Sequence, residues 1–437
     1  MGKRVALHNL GCKVNAYELD RIAGSLQARG FEIVPFDETA DIYIVNTCTV
    51  TNIADRKSRQ MLHRAKKHNP DAVVALGCYV DTDAESVKKE PCIDIALGNK
   101  DKAGLAKVLD TYPEVGQNEV TDGPSCTGGI TGVQASDYHS RTRAYIKIQD
   151  GCNLFCSYCI IPYARGRSVS RAQEDVLREA EALAAQGMRE VVLTGIHLSS
   201  YPDLTELILR LNEITGMERI RLGSLEPRMI TQETVHALRG ADKLCPHFHL
   251  SLQSGCDAVL QRMRRRYTTA EFAESAALLR EAYDHPAITT DIITGFPGET
   301  EAEFEESRAF IDRMNFYETH VFPFSARKGT AAAKMEGQLT QKEKAARADV
   351  LIRMSAEKAK AYRAQFLDKT VRVLWEETEA VAGKLFLTGH TERYVKVAQA
   401  LEQRDGRAQS ETGAHTQAGN ITDVQVTSFL TDTVLLA

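Results

Sequence analysis

Three cysteines, Cys152, Cys156 and Cys159, form a C-x-x-x-C-x-x-C arrangement within one short stretch of the sequence. Thiols spaced this closely cannot all point into an apolar core, so we expect them to converge on a shared partner. Iron–sulfur clusters are held by cysteine thiolates, usually four. A stretch that supplies only three leaves one iron with an open coordination position, as in catalytic rather than structural metal sites. A structural zinc site is the alternative, and its fourth ligand would have to be distant, the next candidate being His197.

Length and composition limit the class of protein that carries this stretch. A chain of 437 residues is expected to form two or three domains. Its first residues lack the apolar stretch of a signal peptide, and no apolar run approaches the ~18 residues of a membrane span, so we expect a cytoplasmic protein without a membrane partner. Ten cysteines in that compartment favour metal binding or catalysis over disulfides. The net charge of −5 gives no overall basic surface, so a nucleic-acid partner would need local basic patches.

Residues 1–110 alternate short β-branched runs with amphipathic helical stretches. This alternation predicts a doubly wound α/β domain with a parallel sheet covered on both faces. Ligands of such sheets lie at the carboxyl ends of the strands. Strands are predicted over residues 4–10, 31–36, 41–46, 72–76 and 93–97, and helices over 16–28, 53–67, 84–89 and 100–109.

Cys12, Cys48 and Cys78 each follow one of these predicted strands. Because the ends of parallel strands share one edge of the sheet, we expect the three thiols to meet and form a second three-cysteine cluster site. The alternative is that they are small buried hydrophobic residues, which is common for cysteine. The remaining cysteines fit neither pattern and are interpreted as structural: Cys92, Cys126, Cys245 and Cys256.

Residues 111–142 are rich in Gly, Ser, Thr and Asp and are predicted to be a linker. Residues 143–368 repeat the βα alternation six times, which predicts a partial (βα)6 barrel with its chemistry at the carboxyl ends of the strands. Its strands are predicted over 144–148, 190–193, 219–223, 247–252, 288–293 and 319–324. A charged helix over 341–366 is predicted to be a solvated connector that ends the barrel. Residues 369–437 contain short strands, predicted over 371–375, 380–387, 394–397 and 424–430, and indicate a small β-barrel.

The cysteine triplet, with Tyr158 immediately before its last cysteine, resembles the signature of the radical S-adenosylmethionine (SAM) superfamily. The resemblance implies a cluster whose open iron binds SAM and cleaves it reductively into a carbon radical. It also implies that polar residues at the strand ends contact SAM. Thr194 and Gly195 would meet its amino group, and Glu226 and Gln253 its ribose and neighbouring charges. The turn over residues 293–298 would meet its adenine, and this turn contains Gly295 and Gly298.

An amino-terminal α/β domain with three cluster cysteines, a radical SAM barrel and a carboxyl-terminal β domain of the TRAM type together resemble the methylthiotransferase family. The resemblance implies two 4Fe-4S clusters, SAM, a tRNA substrate, a sulfur source and an electron donor such as flavodoxin or ferredoxin. The last domain departs from a typical RNA-binding module, because residues 370–437 contain six Lys/Arg and nine Asp/Glu. An RNA-binding role predicts that its basic residues share one face: Arg372, Lys384, Arg393 and Lys396.

Three types of methylthiotransferase compete as interpretations. Two act on the adenosine 3′ of the tRNA anticodon, carrying either N6-isopentenyl or N6-threonylcarbamoyl, and the third acts on an aspartate of a ribosomal protein. Residues 46–60 resemble the threonylcarbamoyl type, which attaches a methylthio group to carbon 2 of the adenine. This stretch places Arg56, Lys57 and Arg59 beside Cys48, where they can receive an anionic group; the alternative is a solvated basic helix start.

A non-catalytic iron–sulfur protein that binds RNA or senses redox state is a further alternative. Such a protein would need clusters but no SAM site. The strand-end residues between Thr194 and Glu299 favour the enzyme.

Overall fold

The computed structural model describes residues 2–111, 141–404, 407–410 and 418–437. The predicted linker, with Cys126, lies almost entirely outside these described residues. Within them, no helix combines the length and apolar character needed to cross a membrane.

The amino-terminal residues form a five-stranded parallel sheet in the order β2-β1-β3-β4-β5. Strands β3 and β4 are buried along their whole length, and separate apolar clusters cover the two faces of the sheet. The predicted doubly wound fold is therefore confirmed. The strands are β1 (Arg4–Asn9), β2 (Glu32–Val34), β3 (Ile42–Thr47), β4 (Ala72–Gly77) and β5 (Ile95–Leu97), and the helices are α1 (Lys13–Gln27), α2 (Asn52–Lys66), α3 (Cys78–Thr82), α4 (Ala84–Lys88) and α5 (Leu105–Thr111).

The central residues form the predicted partial barrel. Six parallel strands form two three-stranded sheets. Two isolated β-bridges, Ile220 to Leu244 and Leu225 to Leu250, join these sheets into one curved wall. These strands are β6 (Ala144–Lys147), β9 (Glu190–Thr194), β10 (Arg219–Leu222), β11 (His247–His249), β12 (Ala287–Thr294) and β13 (Glu318–Pro323), while β7 (Gln149–Asp150) and β8 (Val169–Ser170) form a small antiparallel pair.

Most helices of the barrel pack outside its wall on one large apolar cluster, to which the short helices over 161–165 and 257–262 do not contribute. The long helix α13 (Gln341–Ala364) belongs to this layer and buries Ala348, Leu351 and Ala359. Most of its residues are exposed, so the predicted solvated connector is at the same time part of the barrel's outer layer. Only one side of that helix is charged and exposed. The helices are α6 (Ile161–Arg165), α7 (Gln173–Ala185), α8 (Leu204–Asn212), α9 (Gln232–Leu238), α10 (Asp257–Arg262), α11 (Thr269–Ala282), α12 (Glu301–Met314) and α13 (Gln341–Ala364).

The carboxyl-terminal residues form a largely antiparallel sheet around the fully buried Trp375. The predicted strand over 380–387 was wrong, because Ala382 and Gly383, both at positive φ, form a hairpin turn within it. The predicted strand over 424–430 is likewise divided in two. The strands are β14 (Thr370–Val381), β15 (Lys384–Thr391), β16 (Lys396–Arg404), β17 (Arg407–Ser410), β18 (Ile421–Gln425), β19 (Ser428–Thr431) and β20 (Val434–Leu436).

This domain covers the amino-terminal ends of the barrel strands. Arg221 of β10 donates to the carbonyls of Thr391 and Glu392, and the ring of His247 stacks on Tyr394 at 5.2 Å. The stretch with Cys152, Cys156 and Cys159 lies beyond the carboxyl end of β6, at the opposite end of the barrel. The domain thus closes one end of the barrel and leaves the other for chemistry.

Two candidate cysteine metal centres

Cys12, Cys48 and Cys78 follow the carboxyl ends of β1, β3 and β4, which are adjacent strands of the sheet. The backbone of Gly11 passes so close to Cys48 that an added Cβ would lie 3.0 Å from its Sγ. Gly11 also has a φ of +100°, which a side chain would disfavour. The structure thus brings the three predicted ligands to one sheet edge, next to the point where the strand order reverses.

Two buried side chains hold these strand ends together. The Asn15 amide donates to the carbonyls of Leu10 and Thr47 at 2.8 and 3.0 Å, which ties the end of β1 to the end of β3. Ser58 of α2 accepts from the Cys48 amide at 3.2 Å and donates to its carbonyl at 3.0 Å. The positions of Cys12 and Cys48 are therefore fixed by the fold.

Cys152, Cys156 and Cys159 occupy the loop between β7 and α6. The loop turns back on itself: the Cys152 amide donates to the Gly166 carbonyl at 3.1 Å, and the Cys159 amide to the Cys156 carbonyl at 3.0 Å. Ser157 anchors the loop to the end of α10 through a 2.8 Å hydrogen bond to the Arg262 carbonyl. These bonds orient the three thiols without using them.

The thiols of both triplets are free and suited to a thiolate-ligated cluster. Burial raises the pKa of Cys48 to about 11 and that of Cys159 to about 12, and neighbouring thiols of the same triplet add to each shift. Deprotonation of thiols that lie this close together is unfavourable until a metal ion compensates the negative charge of the thiolates. The donor sets therefore fit two clusters, each held by three thiolates.

A buried ion cluster joins the two triplets across the domain boundary. Arg165, which ends α6, donates to Glu18 of α1 at 2.9 Å and to Asp150 at 3.0 Å, and its side chain is fully buried. Lys102 and Lys147 also donate to Glu18, at 2.7 and 2.8 Å. Burial raises the pKa of Glu18, but these cations outweigh burial and hold the pKa well below its usual range. The same guanidinium of Arg165 donates to Asn15, the residue that ties β1 to β3.

A second contact fixes α2 on the barrel. The buried Arg327, which follows β13, pairs with Asp55 at 2.6 Å and donates to Thr49 at 2.6 Å. The backbone N–H of Asn52 donates to the Ser325 hydroxyl at 3.1 Å. The segment after Cys48 is therefore held against the carboxyl end of the barrel, and both cysteine sites face the same interdomain space.

Among the predicted SAM contacts, Glu226 is linked directly to the second triplet. Its carboxylate accepts from Arg265 at 3.0 Å, and the same guanidinium donates to the Cys156 Sγ at 3.2 Å. The His197 imidazole lies 3.2 Å from the other carboxylate oxygen. Burial opposes ionisation of Glu226, but His197 and Arg265 keep its pKa below its ordinary value. A charged carboxylate thus lies beside the cysteines, as a cation-bearing ligand such as SAM requires.

The other predicted SAM contacts lie around the same end of the barrel. Gln253, at a φ of +72°, makes no side-chain hydrogen bond within the described chain, so its amide is available to a ligand. Tyr158 packs edge-to-face on Phe296 at 6.5 Å, within the predicted adenine turn. Thr194 is buried at the end of β9.

The glycines among the predicted SAM contacts have packing roles in the fold. A Cβ at Gly195 would lie 3.0 Å from the Gln149 side chain, and one at Gly295 would lie 2.5 Å from Lys344 of α13. The Gly298 amide donates to the Gly337 carbonyl at 2.9 Å. Close packing of the protein on itself therefore accounts for Gly195 and Gly295 without a ligand, and the positive φ of Gly298, +71°, accounts for the third glycine.

The predicted substrate contacts lie on the first turns of α2. Arg56 and Lys57 are exposed and make no ion pair within the residues that the structure describes. Arg59 lies over the ring of Tyr79, with its guanidinium 5.8 Å from the ring centroid. Ser58, which lies between Lys57 and Arg59 in the sequence, points to Cys48. The free cations Arg56 and Lys57 therefore project from the outer sides of the helix.

Sequence reasoning missed a polar group inside the barrel. Phe248 and Leu250 of the β11 segment pack outward on the helices, so the alternating His249 faces inward, as do Asp291 of β12 and His320 of β13. The His249 Nε2 lies 3.1 Å from Asp291, and the two imidazoles stack at 5.7 Å. The signal was a two-residue alternation of His with apolar residues in 247–250. Arg165, Glu18 and Arg265 were also missed, and no local pattern indicates their pairing.

Comparison with protein-family profiles gives two matches. The radical SAM superfamily profile matches residues 146–311, and the profile described as uncharacterized protein family UPF0004 matches residues 4–98.

Several curated proteins resemble the chain over most of its length. A threonylcarbamoyladenosine tRNA methylthiotransferase, MtaB, of Bacillus subtilis is 41% identical over 90% of this chain and 89% of its own. The protein of the same name from Aquifex aeolicus is 35% identical over 91% and 99%. A tRNA-2-methylthio-N6-dimethylallyladenosine synthase of Acetivibrio thermocellus is 34% identical over 89% and 84%.

Among solved structures, the chain resembles the radical SAM methyltransferase TsrM of Kitasatospora setae, solved with cobalamin and a [4Fe-4S] cluster bound. The TM-score is 0.56 at 18% identity, over 74% of this chain and 75% of that one. The cobalamin-dependent SAM radical enzyme OxsB gives a TM-score of 0.53 at 11% identity, over 76% and 54%. These likenesses concern the fold.

Proposed function

The chain belongs to the radical SAM methylthiotransferase family, and from this membership we propose that it attaches a methylthio group to carbon 2 of N6-threonylcarbamoyladenosine 3′ of the tRNA anticodon. The single observation that carries the proposal is the convergence of two three-cysteine sites on one interdomain space. A methylthiotransferase needs both sites near one substrate carbon. The identity to threonylcarbamoyladenosine methylthiotransferases, up to 41%, supports this substrate over isopentenyladenosine.

Carbon 2 of adenine carries an unactivated C–H bond that acid–base catalysis cannot break. Two 4Fe-4S clusters and SAM, when bound, supply the radical chemistry, the sulfur and the methyl group. Cys152, Cys156 and Cys159 would hold the cluster that binds SAM. Cys12, Cys48 and Cys78 would hold the second cluster.

The residues of the chain orient these groups. Glu226, fixed by Arg265 and His197, and the free amide of Gln253 would contact SAM beside Cys156. Thr194, Gly195, Tyr158, Gly295 and Gly298 surround the same end of the barrel. Arg165 and Arg327 hold the two domains so that the cysteine sites keep one separation. Orientation of this kind is the main contribution of a protein to cofactor chemistry.

The entrance to this space has features of a single-stranded RNA surface. Tyr163 lies in α6, shortly after Cys159, and is 58% exposed. Its ring contacts the Phe155 ring edge-on, with 5.7 Å between the ring centroids. The Arg167 guanidinium lies 4.8 Å from the Phe155 ring centroid. Exposed aromatic rings with neighbouring cations stack unpaired bases, and an anticodon loop presents such bases.

Arg56, Lys57 and Arg59 remain candidate substrate contacts, because Arg56 and Lys57 are free cations just after Cys48.

The carboxyl-terminal β domain offers fewer candidate RNA contacts than predicted. Arg372 pairs with Glu218, and Arg393 contacts the carbonyls of Asp284 and His285, so these two predicted RNA contacts face the barrel.

Three further expectations belong to this proposal. The reaction requires an electron donor, such as flavodoxin or ferredoxin, and a sulfur source. Translation takes place in the cytoplasm, so an enzyme that modifies tRNA is placed there as well. The domain limits are proposed as 1–110, 143–368 and 369–437.

The test compares tRNA nucleosides by mass spectrometry from cells with and without this protein. We expect 2-methylthio-N6-threonylcarbamoyladenosine only in cells that contain it, and its unmodified precursor in the others. Loss of the methylthio group from isopentenyladenosine instead would assign the other substrate. No change in either nucleoside would refute a tRNA substrate.

A further inference from the structure

Among the described residues, the inside of the barrel presents a group of polar side chains that the reaction described above does not use. They are Lys13, His249, Asp291 and His320, and we call them the lumen cluster. The ligand atoms of His249, Asp291 and His320 all lie within 4.8 Å of one another. Asp291 and His320 are direct neighbours across β12 and β13.

Lys13 enters this group from the other domain. It immediately follows Cys12, and the charges that act on its ammonium belong to the barrel: Arg221, Arg143, Glu190 and Asp291. Lys13 is exposed and makes no ion pair or hydrogen bond within the described ranges of the chain. An exposed, unpaired cation next to a cysteine site is a candidate contact for an anionic ligand.

The other members are arranged to donate and accept hydrogen bonds. Thr289 lies 3.0 Å from the Nδ1 of His249, and the Nε2 of His249 lies 3.1 Å from one Asp291 oxygen. These contacts fix both His249 and Asp291 in orientation. His320 stacks on His249 but has no hydrogen-bond partner among the described residues, and its side chain is exposed. A ligand in the lumen therefore meets a free ammonium, a free imidazole and one carboxylate oxygen.

We propose that the lumen cluster binds the threonylcarbamoyl group of the substrate, with Lys13 and His320 contacting its carboxylate. The proposal rests on the proposed function and deepens it, because it names the residues that select this substituent. The threonyl carboxylate supplies the anion, and the ureido N–H groups and the hydroxyl supply donors for Asp291. An isopentenyl group offers none of these partners and would leave the polar groups of the lumen unpaired, which is costly.

The position of the cluster agrees with this role. Lys13 adjoins Cys12, whereas Arg56 and Lys57 project from the outer sides of α2. Because Lys13 directly follows Cys12, a substituent that Lys13 and His320 hold inside the barrel lies close to the first cysteine site.

The test uses the cluster-loaded enzyme and two anticodon stem-loop RNAs. One carries N6-threonylcarbamoyladenosine and the other its carboxamide, in which the carboxylate is replaced by a neutral amide. Binding is measured by fluorescence anisotropy, and methylthiolation by mass spectrometry. We expect the wild type to prefer the carboxylate about tenfold to a hundredfold, the range of one charged hydrogen bond.

The variants are Lys13→Met and His320→Gln, with Lys13→Arg as the conservative replacement. Lys13→Met and His320→Gln should bind the two RNAs with similar affinity while their iron content stays that of the wild type, and Lys13→Arg should restore most of the preference. Lys88→Met and His285→Gln change an exposed Lys and an exposed His far from the barrel lumen and should keep the full preference.

Three results would overturn the inference. The first is full preference in both Lys13→Met and His320→Gln, and the second is loss of preference in Arg56→Ala or Lys57→Ala instead. The third is a stoichiometric zinc or manganese ion in the wild type that His320→Gln lacks, which would assign the imidazoles and Asp291 to a metal. If the wild type methylthiolates neither RNA, the proposed function fails together with the inference; if it methylthiolates the carboxylate form and the variants still discriminate, only the inference fails.

Discussion

Arg165 and Glu18 form an ion pair of 2.9 Å that joins the loop of one cysteine triplet to the helix that follows the first cysteine of the other. The pair is buried, and Lys102, Lys147 and Asp150 complete it. Since the reaction needs both sites at one substrate carbon, this pair is well placed to set the distance between them.

Replacing Arg165 by Gln should therefore uncouple the two sites. Removing one partner of a buried ion pair lowers the free energy of unfolding by about 3–5 kcal/mol. We expect the Arg165→Gln variant to keep SAM cleavage but to form less methylthio product for each 5′-deoxyadenosine released. Arg165→Lys, which keeps the charge, should lie between this variant and the wild type. An unchanged product ratio in Arg165→Gln would show that the pair serves stability alone.

Iron content tests the two cysteine sites. Anaerobic reconstitution should give about eight irons per chain, because two clusters of the common cysteine-ligated type contain four each. Replacing Cys152, Cys156 and Cys159 by Ala should leave about half of this iron. Replacing the buried Cys92, Cys245 and Cys256 should leave iron content unchanged. Full iron in the first triple variant would contradict the assignment.

The two sites should also differ in activity. Replacing Cys12, Cys48 and Cys78 by Ala should abolish methylthiolation and leave reductive cleavage of SAM, which belongs to the other triplet. The measurement is 5′-deoxyadenosine release under anaerobic reduction. Loss of cleavage in this variant, with its remaining cluster intact, would refute the division of labour.

RNA binding should depend on Tyr163 and on the free cations of α2. Replacing Tyr163 by Ala should weaken binding of an anticodon stem-loop by about 1–3 kcal/mol if a base stacks on it. Arg56→Ala and Lys57→Ala should each lower the slope of log affinity against log salt by about one if the residue meets a phosphate. Lys88→Met provides the control for the change in net charge, and slopes equal to the wild type would remove α2 from the RNA surface.

Much of the fold follows from local sequence patterns. The strand–helix alternation predicts both α/β domains, since most of their strands are short, largely buried runs and most of their longer helices have one apolar face. The positions of Cys12, Cys48 and Cys78 follow from the same pattern, because parallel strands end at one edge. The carboxyl-terminal strands were predicted less well, because one Gly at position 383 was the main sign of the turn between β14 and β15.

The interior of the site depends on contacts that no local pattern encodes. Arg165 meets Glu18, and Arg327 meets Asp55, only because the two domains dock, and each residue alone resembles an ordinary surface charge. The lumen residues were accessible in principle. His249 alternates with Phe248 and Leu250, which places it on the opposite face of the predicted strand, but the sequence does not show which of the two faces lines the barrel.

The most direct test of the central claim is methylthiolation by the purified enzyme. Reconstituted protein, SAM, a reductant and a sulfide source are incubated anaerobically with stem-loops that carry either N6-threonylcarbamoyladenosine or N6-isopentenyladenosine, and the nucleosides are analysed by mass spectrometry. The account predicts a 2-methylthio product from the threonylcarbamoyl form, little from the isopentenyl form, and none when Cys152 is replaced by Ala. Equal or greater conversion of the isopentenyl form, or product without Cys152, would contradict it.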